Sequence, residues 1–103
     1  MLEIPIGIDN DLSSLPDDIT LSQNYPNPFN PTTTIYYTLP KSLFVSLAVY
    51  DFHGRKVQML VDERKQAGLY NVEFEASHLA SGIYFYRLQA GDFAQSKRMV
   101  LLK

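Results

Sequence analysis

From residue 19 to the end, turn residues interrupt the chain roughly every ten positions, and that punctuation limits what it can fold into. Between Pro40, Gly54, Gly68, Gly82 and Gly91 lie runs rich in Val, Ile, Thr, Tyr and Phe. Branched and aromatic side chains suit a pleated, half-buried surface better than a helix. Seven Tyr and six Phe in 103 residues reinforce that preference. A chain of this length is one domain with one modest core. The expectation is therefore an all-β fold.

Residues 1–18 read as a linker and residues 19–103 as the domain. The linker holds acids, Gly7, Pro5, Pro16 and the pair Ser13-Ser14, without sustained periodicity. Ile19–Ser22 is expected to form a first short strand. Tyr25-Pro-Asn-Pro-Phe-Asn-Pro31 then forbids regular pairing, because three prolines remove three donors and fix three φ angles. We expect a rigid extended corner there, with Tyr25 and Phe29 anchored in the core. Strands follow at Thr33–Leu39, Leu43–Tyr50 and Val57–Val61. In the second, Val45, Leu47 and Val49 share one face. In the third, Val57, Met59 and Val61 alternate along one face. Asp62–Gly68 reads as a charged loop. Tyr70, Val72, Phe74 and Ala76 point inward along the next strand, and Ser77–Ser81 is a short connection. Gly82–Ala90 and Phe93–Leu102 pair as a hairpin through Gly91-Asp92. About seven antiparallel strands at this spacing predict an immunoglobulin-like or fibronectin-like sandwich.

Charge is unevenly spread. Residues 1–22 carry five acids and no base; residues 23–103 carry nine bases against six acids. An excess that small and scattered does not support nucleic-acid binding. No run is long enough for a membrane helix, so no membrane insertion is expected. No signal peptide opens the chain, as expected of a piece from the end of a longer protein. Without cysteine there are no disulfides or thiolate metal sites.

Enzyme chemistry finds little support, and no catalytic residue, metal or cofactor is expected. His53 and His78 both fall in connections, where solvated histidines are common. Counting an EF-hand loop from Asp9 puts Ser14 at the glycine position and Thr20 at the bidentate glutamate position, so that match fails. Tyr36 and Tyr37 point to opposite faces, as do Tyr84 and Phe85, so each pair puts one ring outward. A carbohydrate platform is one reading of such rings; packing is the commoner one.

Five segments together resemble a known family. They are Asn24–Ile35, Val45–Asp51, Gly54–Val57, Leu79–Arg87 and the terminal Lys97–Lys103. In this order they resemble the type A C-terminal sorting domain of type IX secretion in Bacteroidota and their relatives, over residues 19–103. The resemblance implies a small sandwich fused behind an N-terminal cargo that crosses the inner membrane by its own signal peptide. The domain is then recognised by the outer-membrane translocon and its shuttle components. A surface cysteine protease of sortase type removes it, and the cargo is attached to the surface or released.

Within the family motifs, Pro26, Asn27 and Pro28 belong to the rigid corner. Asp51 is expected to accept backbone N–H bonds in its own turn and to pair with Arg55, with Gly54 supplying the turn geometry. Gly82 is expected to permit a close backbone approach, with Tyr84 packing inward. Lys97, Arg98, Met99, Val100, Leu101, Leu102 and Lys103 form the closing strand and the candidate segment for translocon recognition. Its edge could accept a strand from another chain, and removing residues 100–103 is expected to stop export while leaving the fold intact. A structural spacer similar to the immunoglobulin-like region of flagellar hook-assembly scaffolds is the principal alternative, and a carbohydrate-binding module a further one.

Overall fold

The computed structural model describes residues 15–103. The expected linker lies outside the described residues up to position 14. Seven strands follow: β1 Thr20–Leu21, β2 Thr32–Leu39, β3 Leu43–Tyr50, β4 Lys56–Lys65, β5 Gly68–Glu75, β6 Gly82–Ala90 and β7 Phe93–Leu101. They form two antiparallel sheets, a three-stranded one in the order β1-β2-β5 and a four-stranded one in the order β4-β3-β6-β7. One apolar cluster draws on both, with Ile35, Leu39 and Phe74 from the first and Val45, Leu47, Leu88, Met99 and Leu101 from the second. The expected sandwich is therefore present.

Alternation explains most of the strands. In β2, Thr33, Ile35, Tyr37 and Leu39 are buried and Tyr36 is exposed. In β6, Tyr84, Tyr86, Leu88 and Ala90 turn inward. Successive side chains of a strand point to opposite faces, so a single buried face fixes the register. The last hairpin closes through Gly91-Asp92, since Ala90 pairs with Phe93.

The structure corrects the reading of β4. Leu47 pairs with Val61 and Ala48 with Met59, leaving Leu60 as an extra residue; a second irregularity leaves out Val57. A bulge shifts the alternation by one. Met59 therefore shares the outer face of Ala48 and is exposed, while Val57 and Leu60 pack against the core. The expected charged loop from Asp62 is also strand, paired through Lys65 with Leu43. It borders the four-stranded sheet, where charged side chains stay hydrated and discourage strand addition. Glu63 and Lys65 make an ion pair there at 2.9 Å.

Two buried tyrosines hold their hydroxyls differently. Tyr86 donates to the Ser22 carbonyl at 2.6 Å and accepts the Asn24 N–H at 2.8 Å. The Tyr37 hydroxyl has no hydrogen-bond partner among the described residues, and its ring stacks on Tyr70 at 5.2 Å between centroids. Burial pushes both phenols up to about 12. An orphaned buried N–H costs more than a hydrogen bond contributes on average. Tyr86→Phe is predicted to lower stability by about 1–3 kcal/mol, because Asn24 then loses its acceptor. Tyr37→Phe, which removes an unpaired hydroxyl, is predicted to be neutral or stabilising by up to about 1 kcal/mol. Urea denaturation of the two variants checks the contrast, and equal losses would contradict it.

Candidate functional site

The motif residues gather at one end of the sandwich. Tyr50 pairs with Phe85 and Phe85 with Arg98, so the turn after β3, the start of β6 and the end of β7 lie at the same end of the four-stranded sheet. Gly82 pairs with Leu101 and Tyr84 with Met99. The proline-rich segment joins them, because Phe29 bridges to Leu101. Asp51, Gly54 and Arg55 stand apart from the terminal strand, on the far side of β6.

The terminal strand divides its residues by face. Met99 and Leu101 are fully buried, whereas Arg98 and Lys103 are exposed and Lys97 and Val100 are half-buried. Leu102 is 54% exposed. Lys103 is nonetheless tied down. Its N–H donates to Ser81 Oγ at 2.9 Å, and its ammonium donates to the carbonyls of Ser77 at 2.7 Å and Leu79 at 2.9 Å. Removing residues 100–103 would delete the buried Leu101 and these ties, so that truncation bears on the fold as well as on export.

β7 borders its sheet, but its terminal half is covered. The Phe29 N–H donates to the Val100 carbonyl at 2.9 Å, and the Leu102 N–H donates to the Phe29 carbonyl at 3.0 Å. Asn27 Oδ1 accepts the Val100 N–H at 3.0 Å, and Gln23 Nε2 donates to the Arg98 carbonyl at 2.7 Å. Residues 23–29 thus form a strap along the outer edge of residues 98–102. Pro26, Asn27 and Pro28 are exposed on it. The expectation of an edge open to another chain's strand is corrected for this stretch.

A buried polar hub anchors the strap. Asn24 and Thr33 are the buried polar side chains among the described residues, at 2% and 1% exposure. Asn24 Nδ2 donates to Thr33 Oγ1 at 2.9 Å and to the Pro26 carbonyl at 3.2 Å, and Thr33 Oγ1 donates to that carbonyl at 2.8 Å. Phe29 is buried against Phe74, ring centroids 6.1 Å apart. Tyr25 is 77% exposed, which corrects its assignment as a core anchor. Tyr25 bridges to Thr34 through its backbone, and with Asn24 inward its own side chain must face out. Sequence reasoning missed Gln23 and Asn24 as functional candidates. The only local signal was their place beside the prolines.

The Asp51 turn matches its expectation. Asp51 Oδ1 accepts the N–H groups of His53 at 2.9 Å and Arg55 at 3.0 Å, and Oδ2 accepts Arg55 Nε at 2.9 Å. Gly54 sits at φ 84°, where a side chain would be strained. Gly82 differs from its expectation. A Cβ there would meet nothing within 4 Å, so no close approach requires glycine; its φ of 156° does.

The Arg55 backbone N–H, followed by the His53 N–H and the Arg55 guanidinium, holds the Asp51 carboxyl below its usual range. The unfolded chain therefore takes up a proton at Asp51 before the folded domain does, and this contribution to stability is lost as pH falls through the lowered value. Asp51→Asn keeps one acceptor but removes the charge. The variant is predicted to be less stable than the parent at about pH 7, with the gap narrowing toward about pH 3. Denaturant midpoints at both pH values check this; a gap that stays constant would show that the carboxylate charge is not responsible.

No curated protein matches the chain. A family model described as the secretion system C-terminal sorting domain matches residues 23–102. The match begins at the first residue of the strap and takes in the Asp51 turn, the start of β6 and the terminal strand through Leu102. The chain belongs to this family of C-terminal sorting domains, whose members are signals for type IX secretion across the outer membrane to the cell surface or the extracellular space.

Proposed function

We propose that residues 19–103 act as a folded address for a cargo fused ahead of them, read at the sandwich end that carries the strap and the terminal strand. The gathering there of residues 23–31, 82–84 and 97–103 carries this reading. The cargo and its address pass through the periplasm before the outer-membrane translocon and shuttle components engage Arg98, Leu102 and the neighbouring exposed positions. Arg98 and Lys97 supply positive charge that steers an acidic surface toward this end. Asp51, Gly54, Arg55, Gly82 and Tyr84 maintain the turn and strand geometry and carry no direct recognition. Residues 1–18 join cargo to address. A surface sortase-type cysteine protease cuts between residues 7 and 22, in the part of that range ahead of β1, after which the cargo is attached to the surface or released. The domain itself performs no catalysis.

The test fuses residues 19–103 behind a signal peptide and a fluorescent protein in a bacterium with type IX machinery. Fluorescence is predicted at the surface or in the medium when the translocon is present, and in the periplasm when it is deleted. Arg98→Glu with Leu102→Asp, which alters exposed positions and leaves Met99 and Leu101 in the core, is predicted to reduce export several-fold. Periplasmic retention of the parent fusion in both strains, with the domain folded, would favour the spacer reading.

A further inference from the structure

The terminal strand does not hold its own edge. Residues 98–102 turn backbone groups away from β6, and four of these are met by the strap: the Arg98 carbonyl by Gln23, the Val100 N–H by Asn27, and the Val100 carbonyl and Leu102 N–H by the backbone of Phe29. Two of these partners are side chains. Neither is required to bury the core, since Gln23 and Asn27 are both exposed residues. The strap is clamped at Asn24 through Tyr86 and Thr33, where Gln23 Nε2 also donates to Asn24 Oδ1 at 2.7 Å, and at Phe29 against Phe74. The strap is therefore anchored by its buried residues and applied to β7 by the backbone of buried Phe29 together with the side chains of exposed Gln23 and Asn27.

We infer that Gln23 and Asn27 are positioning residues of the address: they fix residues 98–102 against the strap, so that the secretion machinery reads one joined surface rather than a linear tail. This rests on the reading of the terminal segment given under Proposed function. The joined surface consists of Asn27 and Pro28 on the strap beside Arg98 and Leu102 on the strand. An edge strand without its cover frays and offers its unpaired groups to any other strand. Held by the strap, it presents outward side chains in a fixed register and withholds its backbone.

The test uses the reporter fusion and the isolated domain in parallel. In the domain, Gln23→Ala with Asn27→Ala is predicted to speed hydrogen exchange at the Val100 amide by about tenfold or more, while core amides of β3 stay protected. In the fusion, the same pair is predicted to reduce export several-fold. Asn27→Asp retains the acceptor oxygen, and with Gln23 intact it should restore both Val100 protection and export. Val61→Ala, in the opposite edge strand, serves as a variant weakened to a similar degree without touching the strap, and it should be exported normally. Normal export of the double variant despite the faster Val100 exchange would overturn the inference. So would unchanged exchange at Val100, or equal loss of export in Val61→Ala. Failure of the parent fusion to leave the periplasm would instead defeat the terminal-segment reading, and the inference with it.

Discussion

A strand that closes a sheet carries a row of donors and acceptors on its outer side with no neighbour to receive them. The arrangement around β7 is a solution to that constraint. Pro26, Pro28 and Pro31 have no N–H, so residues 23–31 cannot pair as a regular strand. Phe29 keeps its N–H between two prolines and supplies one rung, donating to Val100 and accepting from Leu102. Asn27 contributes its side-chain oxygen where a backbone partner is missing, and Gln23 reaches the Arg98 carbonyl. A proline-rich cover satisfies the edge without becoming a new edge of its own, because it lacks the donors to template another strand. The spacing of the prolines decides which groups remain available.

The strap in turn depends on a polar group placed inside the core. Asn24 is nearly inaccessible, and its backbone N–H, side-chain amide and neighbours are bonded to Tyr86, Thr33 and Pro26. Buried polar groups are tolerated when every member has a partner, and a half-satisfied network costs more than an apolar core would. Tyr86 therefore does two things. Its ring fills the space between the sheets, and its hydroxyl ties the chain at Ser22 and Asn24 to β6. The contrast with Tyr37, equally buried but with no such ties, shows that burial of a tyrosine alone fixes nothing outside the core.

Much of the fold was legible because strands with one buried face announce themselves by alternation. β2, β5 and β6 read correctly for that reason, and the Gly91-Asp92 hairpin read correctly because its turn chemistry is local. β4 did not. Its two register shifts move Met59 outward and Leu60 inward, and nothing in Val57-Gln-Met-Leu-Val61 marks where the extra residue falls. Its charged half looked like a loop because an edge strand uses charge for hydration and for discouraging partners. At the site, Asp51 and Arg55 were legible since all their bonds lie within five residues. The strap contacts were not: Gln23 and Asn27 meet partners more than seventy positions away, and no local pattern encodes that separation. Tyr25 was misplaced because size suggested burial, whereas the smaller Asn24 had the hydrogen-bonding capacity the interior needed.

The division of the terminal strand also limits how an address written there can be read. Met99 and Leu101 are both fully buried and occupy the shared core of the two sheets. Fully burying such a side chain contributes about 1.5–3 kcal/mol. A domain of this size holds on the order of 5–15 kcal/mol in all. Withdrawing the strand so that a partner could read every residue in sequence would therefore consume much of that stability, before counting the strap bonds broken on the other side. While the domain is folded, the exposed positions are the outward ones, Arg98 and Leu102, together with the strap that lies beside them, and on the proposed reading these are what a partner meets. The inward residues contribute by holding those positions in register. Under the proposed reading, the address is specified by the whole sequence but displayed by only part of it, and that part comes from both ends of the domain.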